Sequence, residues 1–167
     1  ALPGVEFEVQ QIASEVPSKI FLNQQFTETN LQNQIAATSF PIVHLATHGQ
    51  FSSSPEQTFI LTWDEKIKAK EFEDLLQSRE QTKPNPIELL VLSACQTAAG
   101  DKRAALGLAG IAVRSGARST VATLWSVKDQ STAKLMIEFY QQLSQGVGKA
   151  QALRTAQLHL LEQPNFQ

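Results

Sequence analysis

Two kinds of apolar pattern take turns along this chain: stretches with hydrophobic residues every three or four positions, and short runs with no polar interruption. Residues 5–16 carry Val5, Val9, Ile12, Ala13 and Val16 at helical spacing, and Pro17 ends the helix they predict. Residues 19–22 (KIFL) are expected to form a short strand. Thr27 is placed to cap a second helix, TETNLQNQIAAT, with Glu28 in its first turn and Leu31, Ile35 and Ala36 on one face. The run PIVHLAT at 41–47 follows, a strand that leads into His48-Gly49, and the serine-rich residues 50–57 after it are expected to be a mobile loop. Residues 58–63 and a short piece around Ile67 predict a small hairpin lying outside the main sheet. A helix over AKEFEDLLQSR turns Phe72, Leu75 and Leu76 inward, and TKPNP closes it as a loop that cannot be helical.

Around residues 87–97 the rest of the chain is organised. Leu89, Leu90, Val91 and Leu92 form an uninterrupted apolar run without helical period, which predicts a strand buried on both faces inside a parallel sheet. The run stops at Cys95 among small and polar neighbours. A long connection over 96–103 leads to the helical segment ALGLAGIAVRSG, where Gly107 and Gly110 are expected to permit close packing on the sheet and Gly116 to end the helix. STVATLW reads as a further buried strand with an exit loop at 126–129, and amphipathic helices over roughly 130–143 and 149–161 complete the pattern. Hydrophobic strands alternating with helices predict an α/β fold, a three-layer α/β/α sandwich with a mostly parallel sheet, organised as one domain over 1–167.

Composition narrows the function classes. With 167 residues, 42% of them hydrophobic, one domain can bury a sizeable core. A net charge of −2 supplies no drive toward nucleic acid or anionic lipid. A single cysteine excludes an internal disulfide and fits a reducing compartment. No apolar run approaches the roughly 20 residues that span a bilayer, and no basic stretch precedes an apolar core at the start, so a soluble, cytoplasmic protein is expected. One cysteine and three scattered histidines lack zinc-ligand spacing, and no phosphate-loop pattern occurs; no metal or cofactor is expected.

The candidate chemistry lies where two buried strands leave the sheet. In open α/β sheets ligands bind beyond the carboxyl ends of the strands, so Cys95 and His48 can meet there as nucleophile and base. The alternatives are ordinary: Cys95 as a small core residue, His48 as a histidine satisfied at a strand end. His44, four residues earlier on the same strand, is a rival that fits a buried, bonded role, and His159 falls on the last helix, where it is expected to be exposed.

The segments HLATHG and LVLSACQT, with GDKRAALGLAGIAVRSGARSTVATLWSVKDQSTAKLMIEFY and the leading LPGVEFEV, resemble the CHAT domain, the caspase-like domain often found beside TPR repeats and grouped with caspases, gingipains and separases. The resemblance covers nearly the whole chain and implies a caspase-like sheet and a cysteine endopeptidase regulated by neighbouring TPR or other domains. It implies His48 and Cys95 as the catalytic dyad, with the backbone N–H groups of Gly49 and Cys95 as oxyanion donors; no third side chain is evident. LWSVKD is similar to the LWDVTD-type segment of separases, which implies Trp125, Ser126 and Asp129 around the pocket for the residue before the scissile bond and a preference for arginine there, with Asp101 in reserve. Asp129 also stands where a helix cap is wanted. Family members usually carry a strand before LPG and another after the last helix; this chain has neither, so exposed sheet edges and self-association are expected. Two other functions stay open: a regulatory interaction module with little or no proteolysis, and cysteine acyl chemistry on a small molecule, for which an enclosed apolar pocket would speak.

Overall fold

A computed structural model of the chain describes residues 4–37, 40–82, 85–97, 107, 110–111, 113–123 and 129–163. Contacts divide it into two compact units, Asn23–Ser126 and Ala1–Leu22 with Val127–Gln167.

The first unit is built on a sheet of β1 (Ile42–Phe51), β2 (Phe59–Leu61), β3 (Lys66–Lys68), β4 (Leu89–Thr97) and β5 (Thr120–Ala122), in the order β3-β2-β1-β4-β5. The β1–β4 and β4–β5 pairings are parallel; β1–β2 and β2–β3 are antiparallel. As its unbroken apolar run requires, β4 is buried on both faces: Leu89 is 1% exposed and Leu90, Val91 and Leu92 are 0%. Leu90 and Leu92 share a core with Leu45 and Phe51 of β1, with Leu31 and Ile35 of α2 (Glu28–Ala37), and with Phe72, Leu75 and Leu76 of α3 (Ala69–Thr82).

Three sequence expectations are corrected. The β2–β3 hairpin does not stand apart; it joins the main sheet, with Gly49 opposite Ile60 and Gln50 opposite Phe59. Ile60 and Ile67 thereby enter the core, at 2% and 1% exposure. Its outer edge carries Lys66 and Lys68, both exposed, a pattern that discourages strand addition. Residues 19–22 form no strand, since a strand needs a ladder partner and apolar character alone supplies none. The residues 107, 110–111 and 113–114 are helical as expected, yet the glycines meet other neighbours than the sheet. Gly107 faces the Ser52 backbone and Gly110 faces the Arg114 guanidinium.

Thr27 caps α2 as expected, its hydroxyl accepting the Asn30 N–H at 3.1 Å. A second cap comes from the hairpin turn, where Asp64 Oδ1 accepts the Glu28 N–H at 3.0 Å and the Thr62 hydroxyl at 3.0 Å. That backbone bond, foremost, holds the Asp64 carboxyl below its ordinary value of 3.8. A carboxylate with a depressed folded-state pKa contributes stability above its unfolded value and loses it as pH falls through the folded one. Asp64→Ala is therefore expected to lower the thermal midpoint at neutral pH. The difference from wild type should shrink below about pH 3.8; a gap that persists undiminished at lower pH would remove the charge from the cap.

The second unit is helical. α1 (Val5–Glu15) packs on α4 (Asp129–Ser144), which packs on α5 (Lys149–Glu162). Val16 is extended at the end of α1, as the residue before Pro17 must be. Ile12, Met136, Phe139 and Tyr140 are buried here, the last two rings edge to face at 5.6 Å. Burial, and after it the Glu8 carboxylate, raises the Tyr140 hydroxyl well above its usual value, so it stays neutral. The fully buried Ala152 and the nearly buried Ala156, four apart on α5, keep that helix face small. Gly146, at φ +83, makes the left-handed turn out of α4. His159 is exposed as expected and pairs with Glu138 at 3.0 Å.

Candidate active site

The site is defined by the register of β1 on β4. Residues 42–46 face 89–93 one for one, ending with Ala46 opposite Ser93; then the register shifts, and Gly49 faces Cys95, Gln50 faces Gln96 and Phe51 faces Thr97. β1 uses one residue more than β4 across the shift. Such a bulge breaks the regular alternation of a strand, and bulges recur beside active sites because they re-aim a side chain. His48 lies inside this one, next to the residue opposite Cys95, and is exposed. Neighbouring strands lie about 4.8 Å apart, so the backbone brings His48 and Cys95 to adjoining positions on neighbouring strands. His44, half-buried, faces Val91 well back along the ladder and is engaged in an interaction of its own. Among the histidines of this sheet, His48 is the one beside the Cys95 position.

Neither strand stops where the sequence suggested. β1 continues to Phe51 and β4 to Thr97. Phe51, fully buried, anchors that extension in the core. Of two residues facing each other in a parallel ladder, one turns both its N–H and C=O to the partner strand and the other turns them away. Either Gly49 or Cys95 therefore has its N–H engaged between β1 and β4.

Beyond β1 the serine-rich stretch expected as a mobile loop is a hydrogen-bonded turn. The Thr58 hydroxyl accepts the Ser52 N–H at 3.0 Å and lies 3.1 Å from the Ser52 carbonyl, which it can donate to; the Ser52 hydroxyl accepts the Ser54 N–H at 3.1 Å. Pro55–Gln57 is a short 3-10 turn, and Gln50 Nε2 donates to the Gln57 carbonyl at 3.2 Å. Ser52 and Thr58 are 3% and 2% exposed. These serines and threonines satisfy buried backbone groups, the other use of residues that composition alone assigns to loops.

Two features carry no local sequence signal. Ser93, two residues before Cys95, is fully buried and its hydroxyl has no hydrogen-bond partner among the described residues. A buried hydroxyl left without a partner costs about 1 to 3 kcal/mol. Arg114 reaches Glu73 of α3 at 2.6 Å, and its carbonyl accepts from Gln77 at 2.7 Å, binding the 107–114 helical residues to α3. The Glu73 side chain is only 7% exposed.

The other site expectations are less fully placed. Asp129 is the first residue of α4, in the helical unit, where a carboxylate also suits the helix N-terminus. Asp101, Trp125 and Ser126 lie outside the described residues, as do the side chains of Cys95 and Asp129. Among the described residues no group of three His, Cys, Asp or Glu could hold a metal ion, and no helix is long and apolar enough to cross a membrane. A family model described as the CHAT domain matches residues 1–167. No curated protein matches the chain.

Proposed function

The chain belongs to the CHAT domain family, with the caspase-like, peptidase-related fold that the α/β sheet is consistent with, and from that premise we propose that it is a cysteine endopeptidase domain acting through His48 and Cys95. The observation that carries the proposal is the register: Gly49 opposite Cys95, with His48 in the bulge beside it. His48 takes the proton of Cys95, and the thiolate attacks the carbonyl carbon of a peptide bond. A carbon–sulfur bond forms, the oxygen becomes an oxyanion, and collapse expels the amine, which leaves with the proton held on His48. Water then cleaves the thioester with His48 as base, releasing the acid and restoring the thiol. Backbone N–H groups of Gly49 and Cys95 are the donors for the oxyanion.

Arginine is the proposed residue before the scissile bond, with Asp129 as its carboxylate, Trp125 and Ser126 beside it and Asp101 in reserve; the sequence LWSVKD supports this. The domain is proposed to span 1–167, to act in the cytoplasm, and to be regulated by TPR or other domains of its parent protein. What supports regulation is the ladder running past the dyad to Phe51 and Thr97, which keeps one oxyanion donor engaged. The same observation favours the second reading, a regulatory module of low activity. Hydrolysis of fluorogenic peptides by wild type and Cys95→Ala, alone and with neighbouring domains added, distinguishes them. The peptidase reading expects weak hydrolysis by wild type, stimulated by the added domains and absent in Cys95→Ala. No cleavage under any condition would leave the regulatory reading standing.

A further inference from the structure

We infer that Gly107 is a positioning residue for the His48–Cys95 pair, acting through a backbone contact with Ser52; the inference rests on the peptidase reading above. A Cβ added at Gly107 would lie 2.0 Å from the Ser52 carbonyl oxygen and 3.0 Å from its carbon. Both are backbone atoms, which cannot swing aside as a side chain end can, so any residue but glycine at 107 forces the two segments apart. Ser52 is poorly placed to yield. It follows directly on Phe51, the fully buried end of β1, and the Thr58 hydroxyl accepts its N–H and lies 3.1 Å from its carbonyl. Pressure on Ser52 therefore passes back along β1 toward the bulge that holds His48.

On the other side of the contact, the chain from Gly107 runs back to Cys95. The far end of the same helical residues is fastened to α3 by the Arg114–Glu73 pair and the Gln77 bond to the Arg114 carbonyl. A methyl group at 107 therefore meets helical residues fastened to α3 on one side and a Ser52 tied to Thr58 on the other. A cavity of about 330 Å³ borders the contact, lined by Ser52, Thr58, Ala69, Gly107 and Ile111 among others, and leaves room for the contact to open. The expected result is displacement without unfolding. The displacement is taken up by Ser52 and passes through Phe51 into the Gly49–Phe51 pairs that set β1 against Cys95 on β4.

The test is the pH profile of Cys95 alkylation by iodoacetamide in the intact chain, with thermal unfolding measured alongside. Gly107→Ala is expected to lose roughly threefold or more of the neutral-pH rate, moving toward the His48→Ala profile, and to recover it as the thiol ionises by itself near pH 8.5. Thr58→Val, which releases Ser52 without adding bulk at 107, should move the profile in the same direction. Leu31→Ala, a core truncation against α2, should lower stability and leave the profile unchanged, which separates positioning from general destabilisation. A folded Gly107→Ala with the wild-type profile, beside a shifted His48→Ala, overturns the positioning role and spares the peptidase reading. If Gly107→Ala fails to fold, a wild-type profile in Thr58→Val overturns it instead. Identical profiles for wild type and His48→Ala would sink the peptidase reading itself, and this inference with it.

Discussion

His48→Ala is expected to slow alkylation of Cys95 about tenfold at neutral pH, with most of the loss recovered as pH rises. The size follows from ionisation: a free thiol near pKa 8.5 is only about 3% thiolate at pH 7, whereas one paired with imidazole has a pKa of about 7 or below and is half or more thiolate. The register makes His48 the residue to test, because it adjoins the position opposite Cys95 while His44 faces Val91. His44→Ala should act on stability instead, since His44 is half-buried and lies back along the ladder, opposite Val91. Equal alkylation rates in wild type and folded His48→Ala would remove the histidine from the mechanism.

Asp129→Asn is expected to reduce kcat/KM for arginine peptides by roughly thirtyfold or more. Removing one partner of a buried charge pair costs about 2 to 5 kcal/mol, and the lower figure alone corresponds to that factor. A carboxylate grips a guanidinium with two charge-assisted bonds, so lysine peptides, which bind as a point charge, should be poorer substrates of wild type and lose less in the variant. The place of Asp129 at the start of α4 supplies the competing role. A negative charge there favours the helix by about 0.3 to 1 kcal/mol, which asparagine gives up, so unfolding must be measured beside the kinetics. Undiminished arginine cleavage by a folded variant would leave Asp129 with the helix alone.

The sequence was most legible where a residue's environment is set by its immediate neighbours. Leu89 to Leu92 announce a strand buried on both faces because no polar residue interrupts them, and all four are buried. Thr27 is legible as a cap because the bond it makes is to Asn30, within one turn. Where the deciding partner is distant, the pattern is silent. Residues 19–22 look like a strand and have no ladder, while the three-residue strand β2 gains its ladder from Gly49 and Gln50, and β3 in turn from β2. Asp64 lies in the turn of the hairpin, and its task of capping α2 depends on a helix far back in the chain. Serines 52 to 54 look like a loose loop until the buried Thr58 hydroxyl gathers Ser52 around it.

The candidate site divides in the same way. Two strands leading to a histidine and a cysteine could be read from hydrophobic runs, and the β1–β4 ladder brings their positions together. The bulge that sets His48 off the regular register could not, because it comes from the pairing of two strands and not from either one. Gly107 was legible as a close-packing glycine, but the local pattern pointed to the sheet as its neighbour, and the neighbour is the Ser52 carbonyl. That the Ser93 hydroxyl lacks a partner among the described residues could not be read from the sequence, since a serine on a strand is ordinary until its surroundings are known.

The most direct measurement of the central claim is mass spectrometry of the chain after reaction with a peptidyl electrophile carrying arginine next to the reactive carbon. A single adduct is expected, mapped to the peptide containing Cys95, formed faster than with the same electrophile lacking the peptide, and absent from Cys95→Ala. An adduct that persists in Cys95→Ala, or labelling of Cys95 no faster with the peptide than without it, would contradict the claim that this thiol is the nucleophile of a peptidase site.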